Sequence, residues 1–206
     1  MILEMIIYLV IMQEICLVKS HILLFHIIQI VMKQVNIENY LEIGTDNLIP
    51  TFDEVLGLFE EVNLPLIIEL KCYKDNHKAL AEAVAKRLDS YKAPYCIESF
   101  DPRAVYDYKN LRPDVVRGQL SGDMVHDSDG AKSYFVNLAL TNLWDNLFTK
   151  PDFVAYDFQF RNNKGNQKWI KNDGLSVYWT IRSKEDLSIC EKEGSIPIFE
   201  KFDPEK

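Results

Sequence analysis

The chain has 206 residues, enough for one domain with a sizeable core, and its 48% hydrophobic and 26% charged content is that of an ordinary globular protein. A net charge of -8 leaves no basic surplus to neutralise phosphates, which excludes nucleic acid as the expected partner. It still admits a small phosphorylated ligand, which needs only one or two local cations.

The first 35 residues stand apart, dominated by Ile, Leu, Val and Met without a Gly, Pro, Asp or Asn. Their apolar runs, "MIIYLVIM" and "ILLFHIIQIVM", are too short to span a bilayer and are separated by the polar-containing "QEICLVKS". Glu4 sits where a signal peptide carries positive charge, and no small-residue cleavage site follows. A buried helix or strand pair is the expectation here, with contact to a membrane surface as the alternative. We therefore divide the chain into an atypical apolar segment, 1–40, and a domain, 41–206.

From Leu48 onward a regular alternation sets in. Thr51 with Glu54 three residues later forms a capping box, and Val55, Leu56, Leu58 and Phe59 follow at helical spacing. Pro65 then precedes "LIIEL", a run that reads as a strand buried on both faces. The helix "HKALAEAVAKRLDSY" carries Leu80, Val84 and Leu88 on one stripe and leads to the strand "YCIESF". Asp101 and Pro102 open the next helix as N-cap and first position. Further on, "VVRGQL" reads as a strand, "KSYFVNLALTNLWDNLF" as one helix, and "DFVAYDF" and "LSVYWTI" as strands. The helix "SKEDLSICEKEG", closed by Gly194, precedes a last strand, "IPIFEKF".

Strands alternating with helices predict βαβ units and a parallel sheet. Neither a G-x-G-x-x-G nor a Walker lysine loop is present, so a nucleotide-binding open sheet loses its usual signature. Polar residues instead gather at the C-terminal ends of strands: Glu69 and Lys71, Glu98 and Ser99, Gln119, Asp157 and Gln159, Trp179 and Thr180, Glu200. That placement is how a TIM (β/α)8 barrel builds its site, and six strands predict an incomplete barrel of this type.

Glu69 and Lys71 lie two apart on a strand and so share one face. A carboxylate there suits a hard divalent cation and a lysine suits a phosphate oxygen; from strand position alone, an ordinary salt bridge fits equally well. "VHD" at Val125–Asp127 resembles a His–Asp pair but lies in a Gly/Asp/Ser-rich stretch that reads as a solvated loop. His21, His26 and His77 have no partner at metal-ligand spacing. Trp179 is either core or an aromatic wall at the barrel mouth. Cys16, Cys72, Cys96 and Cys190 show no zinc-like spacing and are expected as buried thiols in a reducing, cytoplasmic setting.

The ordered series "IPTFDEVL", "LIIELK", "ESFDP", "RGQLS", "PDFVAYDF", "VYWTIRS" and "IFEKFDP" resembles the glycerophosphodiester phosphodiesterases, phosphoric diester hydrolases of lipid and glycerol metabolism on a TIM barrel. By position, the resemblance implies Glu69 as a metal ligand and Lys71 as the lysine facing the phosphodiester. It likewise implies Ser99, Phe100 and Trp179 as substrate-binding residues. The implied reaction is hydrolysis of a glycerophosphodiester to an alcohol and sn-glycerol 3-phosphate, with Ca2+ or Mg2+ as cofactor. The family's H-R-G turn, E-x-D metal pair and H-D histidine are not found in residues 1–48, and His126 falls too late in the series to replace the last of these. No catalytic acid or base is thus assigned, and the expectation is an incomplete family member with a replaced N-terminus. A catalytically dead barrel that binds phosphorylated glycerol compounds is the alternative. The runs "EMIIYLVIM" and "LLFHIIQIV" are expected to cover or extend the open side of the sheet.

Overall fold

A computed structural model describes residues 51–126 and 133–204. The apolar segment 1–40 and the expected cover of the open sheet lie outside the described residues, as does Asp127 of the "VHD" motif.

The capping box forms as the sequence predicts: the Glu54 N–H donates to Thr51 Oγ1 at 3.3 Å, and the Thr51 N–H donates to Glu54 Oε2 at 2.7 Å. It opens helix α1 (Phe52–Glu61), which delivers the chain to β1 (Leu66–Glu69). Then follow α2 (His77–Leu88), β2 (Tyr95–Ser99), α3 (Pro102–Leu111) and β3 (Arg117–Ser121). Asp101 caps α3, its carboxylate accepting from the Arg103 N–H at 3.0 Å. Leu80, Val84 and Leu88 are all buried on the inward stripe of α2.

The single helix expected over "KSYFVNLALTNLWDNLF" is two: α4 (Tyr134–Thr141) and α5 (Asn146–Thr149). Asn142 ends the first by turning its side-chain amide back to Leu138 O at 2.9 Å, and Leu143 follows in the left-handed region at φ 59°. The turn is also packed from outside. A Cβ at Gly165 would come within 2.4 Å of Asn142 O, so only glycine lets the two backbones meet. Gly165 belongs to a helix that sequence patterning missed, α6 (Lys164–Lys171), between β4 (Phe153–Asp157) and β5 (Leu175–Ile181). Only Trp169 and Ile170 are apolar in its eight residues, and it is started instead by Asn163, which accepts from the Gly165 N–H at 2.7 Å. Helix α7 (Lys184–Lys192), capped by Ser183 and closed at Gly194 (φ 71°), leads to β6 (Ile196–Phe199), shorter than "IPIFEKF".

All five strand pairings are parallel, and the sheet order is β1-β2-β3-β4-β5-β6. Each strand therefore lies beside its sequence neighbour, the winding of a barrel rather than of a doubly wound sheet. The sheet curls hard. Phe100, just past β2, and Trp179 of β5 meet edge to face with ring centroids 5.6 Å apart. On a flat sheet three strand spacings would hold them ~14 Å apart. Among the described residues, six strands with outer helices make an incomplete TIM barrel.

The register sorts the side chains into two layers. Ile67, Cys96, Leu120, Phe153, Ala155 and Val177 pack on the concave face with Phe100, Leu175, Trp179, Ile196 and Ile198. Leu66, Ile68, Leu70 and Ile97 face outward against α1, α2 and α3, and Val154, Tyr156, Tyr178 and Ile181 face α6 and α7. Trp179 and Ile181, two apart, point to opposite layers because the β5–β6 register shifts between Tyr178 and Ile181. Gly118 shapes the inside: a Cβ there would fall 2.2 Å from the Phe153 ring, so the missing side chain is the space the ring fills.

Candidate functional site at the open barrel mouth

Parallel register pairs Glu69 of β1 with Glu98 of β2, and both side chains face the concave layer near the strands' C-terminal ends. The pairing continues one residue further, where the Leu70 N–H donates to Glu98 O at 2.7 Å. Lys71 follows on Glu69's side and acts on its charge. Burial holds the Glu69 carboxyl above the ordinary range, with Lys71 pulling the other way. Glu98 is more extreme: it is 3% exposed, its Oε2 has no hydrogen-bond partner among the described residues, and burial with the Glu69 charge pushes it up to about 8.

Beside the glutamates stands the Phe100–Trp179 pair, Phe100 lying two residues beyond Glu98 on the concave face. The Trp179 indole N–H donates to Ala155 O at 3.0 Å, which fixes the ring against β4. Asp157, the register partner of Trp179, caps the short 3-10 turn Phe158–Phe160 by accepting from the Gln159 N–H at 2.9 Å. Gly122 lies close beneath: its absent Cβ would be 3.0 Å from Asp157 Cβ and 4.0 Å from Trp179 Cζ2. The two readings left open for Trp179 merge, since the residue packs with the inner core and also forms the rim.

Ser99 departs from the expectation for it. It points to the outer layer, is wholly buried, donates to Leu70 O at 2.6 Å and accepts from the Asp101 N–H at 3.0 Å. Its hydroxyl joins β1 to β2 and the α3 cap, and a ligand in the concave mouth cannot reach it. Gln119 is buried on that outer layer too, bonded to Ser99 O and Leu120 O. Glu200 pairs with Arg182 at 2.8 Å on the surface.

The described histidines stay outside this group. His77 bridges the helix layer to Asp107 at 2.6 Å. His126 bonds Asp123 at 2.6 Å with its side chain 80% exposed, as a solvated loop predicts. It borders a cleft of about 470 Å3 with Tyr134, Thr141, Asn142 and Gln159, whose lining includes none of Glu69, Lys71, Glu98, Phe100 or Trp179. Among the described residues no group of three or more His, Cys, Asp or Glu side chains could hold a metal ion. Among the described residues, Glu69 and Glu98 are the register-paired carboxylates of this mouth. Cys96 and Cys190 are buried free thiols, and Cys72 is half-buried. No described helix is long and apolar enough to cross a membrane.

Comparison with solved structures decides the fold. An Oleispira antarctica phosphodiesterase, solved with the product sn-glycerol-3-phosphate, superposes with a TM-score of 0.58 at 15% identity, over 73% of this chain and 56% of that one. The chain has the fold of the glycerophosphodiester phosphodiesterases. A putative glycerophosphoryl diester phosphodiesterase from Silicibacter pomeroyi gives a TM-score of 0.56 at 17% identity, over 73% and 52% of the two chains. A glycerophosphodiester phosphodiesterase from Parabacteroides distasonis gives 0.54 at 17% identity, over 73% and 58%. The chain thus spans just over half the length of these structures. No family model and no curated protein sequence matches it.

Of the site, Glu98 and Asp157 were visible in sequence only as polar strand ends. Register brought Glu98 to Glu69, and no local pattern in "YCIESF" carries that information.

Proposed function

We propose that this chain is a phosphodiester hydrolase that cleaves glycerophosphodiesters to sn-glycerol 3-phosphate and an alcohol. The observation that carries this reading is the grouping of Glu69, Lys71 and Glu98 beside the Phe100–Trp179 wall, at the strand ends where a barrel places its chemistry. Supporting it is the fold shared with phosphodiesterases, one of which was solved with sn-glycerol-3-phosphate.

In this reading the Lys71 ammonium binds the phosphoryl oxygens. Phe100 and Trp179 form the apolar wall against which the glycerol carbons lie. Glu69 would hold Ca2+ or Mg2+, and hard carboxylate oxygens, one of them orphaned in the Glu98 side chain, suit either ion. Charge neutralisation at the phosphoryl oxygens is the chemistry such a cation supplies when bound. Hydrolysis forms a bond from water oxygen to phosphorus, breaks the bond from phosphorus to the alcohol oxygen, and returns a proton to that alcohol.

The test is release of sn-glycerol 3-phosphate from glycerophosphocholine with Mg2+ or Ca2+, comparing the wild-type chain with E69A. Turnover lost in E69A supports the hydrolase. Binding of glycerophosphocholine without turnover overturns it in favour of a binding module.

A further inference from the structure

Glu98 is surrounded in a way that leaves one direction for its charge. Along its own strand the same-face neighbours are Cys96 and Phe100, both packed in the concave apolar cluster. On the β3 side its register partner is Gly118, and the Phe153 ring fills the space that glycine leaves. On the β1 side stands Glu69, one strand spacing away, ~4.8 Å. With 3% of its surface exposed and Oε2 unpartnered among the described residues, the side chain would leave a carboxylate oxygen buried without compensation, an unfavourable state. A second carboxylate as its polar neighbour supplies no donor.

We propose that Glu98 is a second ligand to the divalent cation at Glu69, so that the cross-strand Glu69–Glu98 pair forms the cation seat. A cation held between the two would satisfy the orphaned oxygen and offset the repulsion of two buried acids. Two carboxylates with water and substrate phosphate completing the shell are the usual way a protein holds Mg2+. This inference rests on the hydrolase reading for its choice of cation, but it concerns binding and can stand without turnover.

The experiment is a calorimetric titration of the full chain with Ca2+ and with Mg2+, alongside thermal unfolding in EDTA and in each ion. The wild type is expected to bind one ion and to gain Tm on binding. E98Q and E69Q are each expected to weaken binding ~10-fold or more and to lose that gain, while the Tm of E98Q in EDTA is no lower than wild type. Should E98Q fail to fold, E98D supplies the comparison, with weaker binding expected from its shorter reach. Wild-type affinity in E98Q or E98D, or no binding by the wild type up to about 10 mM of either ion, beyond the weak end of protein calcium sites, would overturn the proposal. Ion binding through both glutamates without hydrolysis of glycerophosphocholine would remove the hydrolase reading and leave the seat intact.

Discussion

At the scale of single residues, Glu98 and Ser99 are chain neighbours with opposite fates, because successive strand residues face opposite sides of the sheet. Glu98 faces the concave side, where its carboxyl is pushed up to about 8 from an ordinary 4.5. Between those values the folded state binds the proton that the unfolded state has released. Stability is therefore greatest below the ordinary carboxyl value and falls as pH rises through the folded one. A tenfold difference in proton affinity between the two states corresponds to ~1.4 kcal/mol. In EDTA, wild-type denaturation midpoints should fall between about pH 5 and about pH 8.5, and E98Q should flatten that slope. An equal slope in both proteins would remove Glu98 as its cause. For Ser99, whose hydroxyl ties Leu70 O to the α3 cap, S99A should cost ~1–2 kcal/mol in urea unfolding. The KM for glycerophosphocholine should stay unchanged, whereas a raised KM at full stability would restore the hydroxyl to the substrate.

At the scale of elements, concave layer and helix layer are held by different devices. Helices are started by side-chain caps at Thr51, Asp101, Ser133, Asn163 and Ser183, each satisfying backbone donors that would otherwise be orphaned. The concave layer depends instead on size matching, with Gly118 of β3 making room for the fully buried Phe153 of β4. G118A puts a methyl where the ring lies. The expected loss is ~1–3 kcal/mol, read by urea denaturation, and the double change G118A/F153L should recover part of it. No recovery would mean that the ring is not what the methyl meets.

Across the molecule, protection is uneven along the sheet. Strand β4 is buried at Phe153, Val154, Ala155 and Tyr156 and pairs on both sides, while every residue of β6 is half-buried. Hydrogen exchange of the full chain should therefore show β4 amides exchanging far more slowly than those of β6. Equal protection would mean that β6 is covered by residues outside the described part. The α4–α5 region also shows water Phe135, Leu147 and Phe148, each more than 70% exposed.

Local chemistry wrote the element order into the sequence. The Thr51–Glu54 box, the Asp101–Pro102 start and the Gly194 stop are each satisfied by residues a few positions apart, so no knowledge of the fold is needed to find them. Alternation of strand and helix gave the parallel sheet, the polar strand ends its barrel winding and period two the pairing of Glu69 with Lys71, while the ordered resemblance implied the roles of that pair. Helix α6 escaped because only two of its eight residues are apolar, and the break at Asn142 because its cause, Gly165, lies on another element. What only the tertiary structure decided was register. Period two places a residue on one of two faces, but it cannot say which residue of the next strand stands beside it. That relation made Glu98 the neighbour of Glu69, sent Ser99 away from the mouth, and brought Trp179 across the curled sheet to Phe100.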